Sequence, residues 1–234
     1  MTGRVEAIWV KRHYPQKGDT AFFVPNGVEA RYLYPERFDR PPEKTARLLF
    51  VGYWDPWRKG RKYLIEAFTA LHAERPDVTL TLAGTKLTAA QILPDFPEAC
   101  RERVSVVPSA NEPEIINLYR AHDVFVLPSL FEGMPLVLLE AMASGLPCVT
   151  TDNNGMADLI VDGENGFLVP RRDGAALAEV LQYLADNGDL RARLGYAAQQ
   201  TIKAHYLWPH VTDHFEAAMR SILDPTPATH DAAT

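Results

Sequence analysis

From Arg47 onward, short apolar runs alternate with longer stretches in which apolar residues recur every three or four positions. The runs are R-L-L-F-V-G at 47–52, Val78 to Ala83, Ser105 to Pro108, D-V-F-V-L-P at 123–128, Pro147 to Thr151 and Asn165 to Val169. Each is brief, rich in Val, Leu or Phe and bounded by turn residues, which predicts six buried strands. Between them, Leu64, Ala67, Phe68 and Leu71 mark one face of a helix. Glu114 to Ala121 predicts a short helix, and Pro135 suits the first position of another. Three helices close the pattern: Ala175 to Ala185 with Leu177, Leu181 and Leu184 inward, Leu190 to Ala204 with Leu190, Leu194 and Ile202 inward, and Pro209 to Leu223 with Val211, Phe215, Met219 and Ile222 inward. Strands alternating with helices imply an α/β fold, a parallel sheet covered on both faces. Right-handed crossovers then make it a single doubly wound, Rossmann-like sheet.

The first 44 residues lack this regularity. Residues 1–20 read as polar and irregular, Ala21 to Pro25 as a short strand, Asn26-Gly27 as a turn, and the Pro-rich, charged Arg37 to Lys44 as a linker. The expected organisation is therefore an irregular segment at 1–44, the sheet domain at 45–223 and a disordered tail at 224–234. With 47% hydrophobic and 23% charged residues the chain is of ordinary globular composition. Its formal charge of −6 argues against nucleic acid as a partner. No run of about 18 apolar residues predicts a transmembrane segment, and M-T-G-R-V-E-A lacks a signal-peptide core. One pair of cysteines, Cys100 and Cys148, defines no disulfide framework, so a reduced, cytoplasmic setting is the expectation.

Candidate chemistry concentrates in F-E-G-M-P-L-V-L-L-E-A-M-A-S-G-L-P at 131–147. Ser129 to Met134 is a loop that leaves the carboxyl end of a strand and opens a helix, the place where open α/β sheets bind ligands. The first N–H groups of that helix, on Leu136 and Val137, have no helical acceptor and would face an anion. Glu140 then lies roughly 7.5 Å inside the helix start, at about 1.5 Å of rise per residue. That spacing suits a phosphate at the helix tip with a ribose diol further along. Glu132, in the loop itself, would meet a group carried on the phosphate. Surface carboxylates near a helix start are the bland alternative, and they suit Glu132 better than Glu140, which stands in an apolar run.

The same stretch resembles the retaining GT-B glycosyltransferases of family four, the group 1 glycosyl transferases, whose signature is E-x(7)-E followed by A-M-A-x-G-x-P. Glu132, Glu140, Ala141, Met142, Ala143, Gly145 and Pro147 carry the match. P-N-G-V at 25–28, R-K-G at 58–60, L-A-G at 82–84 and N-G-F-L-V at 165–169 extend it from about Phe22 to Leu223. The resemblance implies a domain that binds a nucleoside-diphosphate sugar and transfers the sugar with retention, without a metal or cofactor. Glu140 would bind the ribose, and Glu132 would face the sugar near its anomeric carbon as the catalytic residue. Gly133, Met134, Pro135 and Leu136 would surround sugar and phosphate. Gly52, Gly84, Lys59 and its neighbour Arg58 would meet the diphosphate, and Val107 to Asn111 the base. Family members carry Arg immediately after the glycine of strand one; Tyr53 stands there in this chain, where it would hydrogen-bond a phosphate oxygen of the donor, or Arg58 would substitute for the missing Arg.

In that family P-N-G-V opens the second of two domains, so the acceptor-binding half is expected to be missing, the chain being a truncated copy, a fragment, or a donor-binding subunit that meets its other half in a separate chain. The possible partners are an acceptor-binding subunit or a second copy, besides donor and acceptor. Attachment at the inner membrane face stays open. A silent nucleotide-sugar-binding module and an epimerase of the same fold are the competing readings. Trp54 and Trp57 in W-D-P-W read as an exposed loop. His210 and His214 have metal-ligand spacing but no third ligand. Neither G-x-G-x-x-G, nor a P-loop, nor G-x-S-x-G occurs, which excludes the usual nicotinamide, nucleotide-triphosphate and hydrolase signatures.

Overall fold

The computed structural model describes residues 4–15, 22–39, 43–54 and 57–223. Six parallel strands form one sheet: β1 (Arg47–Val51), β2 (Thr79–Ala83), β3 (Val104–Val107), β4 (Val124–Leu127), β5 (Cys148–Thr151) and β6 (Gly166–Val169). Their order is β3-β2-β1-β4-β5-β6. All six expected strands are present with ends shifted by a residue or so: Gly52, Val78, Pro108, Asp123, Pro128, Pro147 and Asn165 fall outside them, and β3 starts at Val104, one residue before the expected Ser105. β1 and β4 are buried along nearly their whole length, as the apolar runs require.

The helices, in chain order, are α1 (Arg4–His13), α2 (Arg61–Glu74), α3 (Ala89–Ile92), α4 (Glu98–Arg101), α5 (Glu112–Ala121), α6 (Leu136–Ala143), α7 (Asn154–Ala157), α8 (Gly174–Asp186), α9 (Gly188–His205) and α10 (Trp208–Leu223). α2 packs on α8, and α6 on α9. Because α2 leads the chain toward β3 and α6 leads it toward β6, right-handed crossovers place these two pairs on opposite faces.

Four expectations are corrected. Residues 4–13, read as irregular, form α1; residues 16–20 of that stretch lie outside the described ones. The strand expected at 21–25 does not form: residues 22–25 are irregular, and nearby Val28 makes a single bridge with Leu207. Residue 21 and the tail at 224–234 lie outside the described residues. Trp54 is fully buried, not exposed: its Nε1 donates to Asp95 at 3.0 Å and its ring stacks on Phe96. Trp57 is exposed, while Asp55 and Pro56 are outside the described residues. On α10 only Val211 of the expected inward face is buried; Phe215, Met219 and Ile222 are exposed.

The expected linker at 37–44 has a structural role at its start. Arg37, in a 3₁₀ turn (Pro35–Asp39), donates to Tyr119 O at 2.6 Å, Ser144 O at 2.7 Å and His122 O at 2.9 Å. One guanidinium thus closes the carboxyl ends of α5 and α6, where the helix dipoles favour a cation. Burial lowers its pKa to about 10, which still leaves it charged at neutral pH.

Candidate functional site

The sheet order reverses between β1 and β4, and the carboxyl ends of these two strands frame the site. After β1 the chain passes Gly52, Tyr53 and Trp54 and reaches a 3₁₀ turn at Trp57–Lys59. Gly60 ends that turn in the left-handed region at φ 74°, and a Cβ there would lie 1.9 Å from Pro128 O. Only glycine lets the turn press so closely on the end of β4. Leu130 N donates to Arg58 O at 2.6 Å, completing the join.

This contact brings three of the sequence-derived residues together. Lys59 Nζ lies 2.7 Å from Glu132 Oε1, and Arg58 Nη1 lies 2.9 Å from the same oxygen. Ser129 Oγ adds a longer contact at 3.4 Å. The Lys59 and Glu132 side chains are 11% and 12% exposed, against 44% for Arg58. Two cations on one carboxylate leave a formal charge of +1. Beside them, α6 begins at Leu136 with Pro135 as its N-cap and no side-chain cap. Pro135 therefore stands one position before the helix, not in its first turn. The N–H groups of Leu136 and Val137 have no acceptor among the described residues. Net positive charge and open amides give this corner the character that suits an anion.

Glu140 is not part of that cluster. Half-buried one turn further along α6, it accepts a hydrogen bond from Tyr119 Oη at 2.9 Å, and the Tyr32 hydroxyl stands nearby, donating to Glu112 Oε1 at 3.4 Å. Val137 O, 3.2 Å from Tyr119 Oη, is a second and more distant acceptor for the same single proton. Burial pushes the Glu140 pKa up, the tyrosine hydroxyls oppose this, and nearby Glu112 adds to the rise. Both tyrosine pKa values rise as well, through burial and the Glu140 charge, so both stay protonated donors. Nothing in the sequence pointed to Tyr32 or Tyr119: each reads as an ordinary apolar-face residue, and only the packing of α5 on α6 brings Tyr119 to Glu140.

The remaining candidates surround the corner. A Cβ built on Gly52 would lie 3.6 Å from Lys59 Nζ, so this glycine borders the ammonium. Gly84, left-handed at φ 66°, leaves β2 beside Gly52, whose N lies 3.9 Å from its Cβ position. Tyr53 is exposed, with Lys86 Nζ 5.7 Å from its ring centroid. Gly133 and Met134 continue the loop from Glu132, Met134 being buried. In the segment expected to hold the base, Pro108 O accepts from Lys86 N at 2.9 Å and Asn111 caps α5. His210 Nε2 lies 3.1 Å from Lys203 O on an exposed surface, and no group of three metal-ligating side chains forms among the described residues. Cys100 and Cys148 are buried and free.

At the opposite end of the sheet, a cavity of about 120 Å³ is lined by Arg37, Arg47, Arg120 and Arg191. These arginines already have partners. Arg37 and Arg191 cap helix carbonyls, Arg47 pairs with Asp123, and Arg120 stacks over Tyr34.

The family model described as "Glycosyl transferases group 1" matches residues 45–187. The chain is 32% identical over 212 residues to a glycogen synthase of Mycobacterium tuberculosis, covering 87% of this chain and 50% of that protein. It superposes on the C-terminal domain of a glycosyl transferase group 1 family protein (LpcC) from Francisella tularensis with a TM-score of 0.65 at 25% identity, over 78% of this chain and 100% of that one. A TM-score of 0.80 at 18% identity, over 94% of this chain and 43% of the other, relates it to S. aureus TarM, solved as a point mutant with fondaparinux, alpha-GlcNAc-glycerol and UDP. The chain thus spans about half the length of the curated relatives it matches.

Proposed function

Because this chain belongs to the glycosyl transferases group 1 family and forms the C-terminal half of its fold, we propose that it binds the nucleoside-diphosphate sugar of a retaining glycosyl transfer. The observation that carries the reading is the Lys59–Arg58 pair beside the open amides of Leu136 and Val137, at the point where the strand order reverses. The diphosphate sits there, its charge met by two cations and a helix N-terminus, which gives the leaving group electrostatic stabilisation without a metal. Gly52 and Gly84 leave backbone room around it. Glu140, one turn further along α6, accepts hydrogen bonds from the ribose diol, with Tyr119 holding the carboxylate in place and Tyr32 close by. Glu132 faces the transferred sugar, and the loop Gly133–Met134–Pro135 lines that side. Val107 to Asn111 borders the base. UDP in the TarM structure supports a nucleotide of this class.

Transfer requires an acceptor-binding half, which this reading assigns to a part of the fold outside this chain, since the chain spans about half the length of the curated relatives it matches. Among the described residues no helix is long and apolar enough to cross a membrane. A cytoplasmic location, with peripheral contact where the acceptor is a lipid, fits this reading. Tyr53, exposed where the family pattern has Arg, favours a second reading, a binding module without transfer activity.

Calorimetry of the chain with uridine, guanosine and adenosine diphosphates tests the binding site. One of them binds, and Lys59→Met abolishes the binding. Failure of all three at millimolar concentration refutes the site. Transfer assays with an added acceptor half separate the enzyme from the silent module.

A further inference from the structure

The P-N-G-V turn at 25–28 has no part in the chemistry above, yet it is anchored on two sides. On one side, Val28 N donates to Tyr206 O at 2.9 Å and Trp208 N donates to Val28 O at 3.4 Å. Gly27 lies so close to the Trp208 ring that a Cβ would stand 2.6 Å from it. The turn is thereby fixed to the junction of α9 and α10. On the other side, Asn26 Nδ2 donates to Met134 O at 2.7 Å, and Asn26 N lies 3.3 Å from Met134 Sδ. A carbonyl acceptor settles the orientation of the amide, because only its NH₂ end can donate.

Met134 O belongs to the peptide that joins the loop to α6. The following residue, Pro135, has no N–H and disfavours a helical conformation at Met134. The carbonyl is therefore the one polar group through which this peptide can be held. Its orientation sets the entry of α6 and hence the direction of the Leu136 and Val137 amides. Other carbonyls of the loop are held from the β5 side: Thr151 Oγ1 donates to Ser129 O, and Asn153 Nδ2 to Leu130 O. A Cβ on Gly155 would overlap Gly133 O, so that carbonyl is packed tightly as well. The loop's acceptors are turned into the protein while the leading amides of α6 stay open.

We infer that Asn26 is a positioning residue for the donor loop: by holding Met134 O it aims the α6 amides at the diphosphate. The functional half of this inference rests on the donor-site reading above; the loop-ordering half does not. The test compares Asn26→Asp and Asn26→Ala with the parent chain. Aspartate keeps the size of the side chain but presents an acceptor to an acceptor.

Both variants bind the nucleoside diphosphate about tenfold more weakly, the fold-change matching the net worth of one hydrogen bond. In the ligand-free chain, amide hydrogen exchange at Leu138 and Leu139, whose N–H groups donate to Pro135 O and so depend on how the Met134–Pro135 peptide is held, speeds up in both, while β1 and α2 keep the parent's protection. If Asn26→Asp behaves as the parent, or if exchange at Leu138 and Leu139 does not change, the inference is overturned. It is overturned too if exchange rises but affinity does not fall. If the parent binds none of the diphosphates, the donor-site reading fails and the aiming of amides at a diphosphate fails with it. The exchange result then decides whether Asn26 orders the loop.

Discussion

Glu132 occupies the two cations that a diphosphate would need, and this makes the effect of Glu132→Gln predictable in sign. The carboxylate and the diphosphate compete for Lys59 and Arg58. Neutralising the carboxylate removes the internal competitor, and binding of the nucleoside diphosphate tightens. The Lys59 contact, at 2.7 Å between side chains both almost nine-tenths covered, is the larger part. Charge-assisted hydrogen bonds of this kind contribute about 1.5–3 kcal/mol. Arg58, more exposed, adds no more than a surface pair, up to about 1 kcal/mol. Glutamine keeps a neutral acceptor, so a loss of about 2 kcal/mol is a reasonable centre, or roughly thirtyfold in affinity.

The same free energy leaves the folded state of the ligand-free chain. Its melting temperature falls by about 4–8 °C, at 2–4 °C per kcal/mol for a domain of this size. Calorimetry with the nucleoside diphosphate and a thermal melt measure the two sides, and both effects shrink as salt rises. Weaker binding by Glu132→Gln would refute the reasoning and make Glu132 a residue that orients Lys59. A loss of stability without a gain in affinity would show that the carboxylate and the diphosphate do not share these cations.

Three further outcomes follow from the same contacts. Burial raises the Glu140 pKa, so its ionised form opposes folding: its contribution is favourable below the ordinary carboxylate range and is lost as pH rises through the raised value. Glu140→Gln therefore raises the neutral-pH melting temperature, with the gain vanishing in acid, and weakens nucleoside-diphosphate binding; a variant that binds as tightly as the parent would make Glu140 purely structural. Arg37→Met leaves three carbonyls unpaired at the far end of the sheet and costs roughly 3 kcal/mol or more in denaturant titration, with Lys59-dependent binding unchanged. The exposed Phe215, Met219 and Ile222 make α10 an association surface, so light scattering at micromolar concentration detects self-association that Phe215→Ser reduces; a monomer indifferent to that substitution would remove the interface.

Much of the molecule was legible along the chain because its signals are local. A run such as D-V-F-V-L-P can be buried only as a strand, and the alternation of such runs with 3.6-residue periodicity admits few architectures other than a parallel sheet. The loop–helix opening at Ser129 to Leu136 was readable too, since Pro135 and an apolar run mark where a helix starts. Trp54 shows the limit of such reading. A tryptophan two residues past a strand, between Tyr53 and Asp55, looks like a loop residue, and its burial depends on Phe50, Phe96 and Asp95, the last two some 40 residues away. α10 shows the converse: its period is that of an amphipathic helix, but period says only that one face is apolar, not that anything covers it.

The site divides the same way. Residue type and spacing selected Glu132, Glu140 and Lys59 as candidates. That Glu132 closes on Lys59 and Arg58, while Glu140 is held by Tyr119 with Tyr32 close by, was decided by the tertiary structure. Those partners come from the turn after β1, from α5 and from the turn after Val28, brought together only when Gly60 meets Pro128 and α5 packs on α6. Hydrogen bonds and ion pairs act over about 3 Å, and the pattern along a chain records which face of an element is apolar but not which distant side chain arrives within that distance.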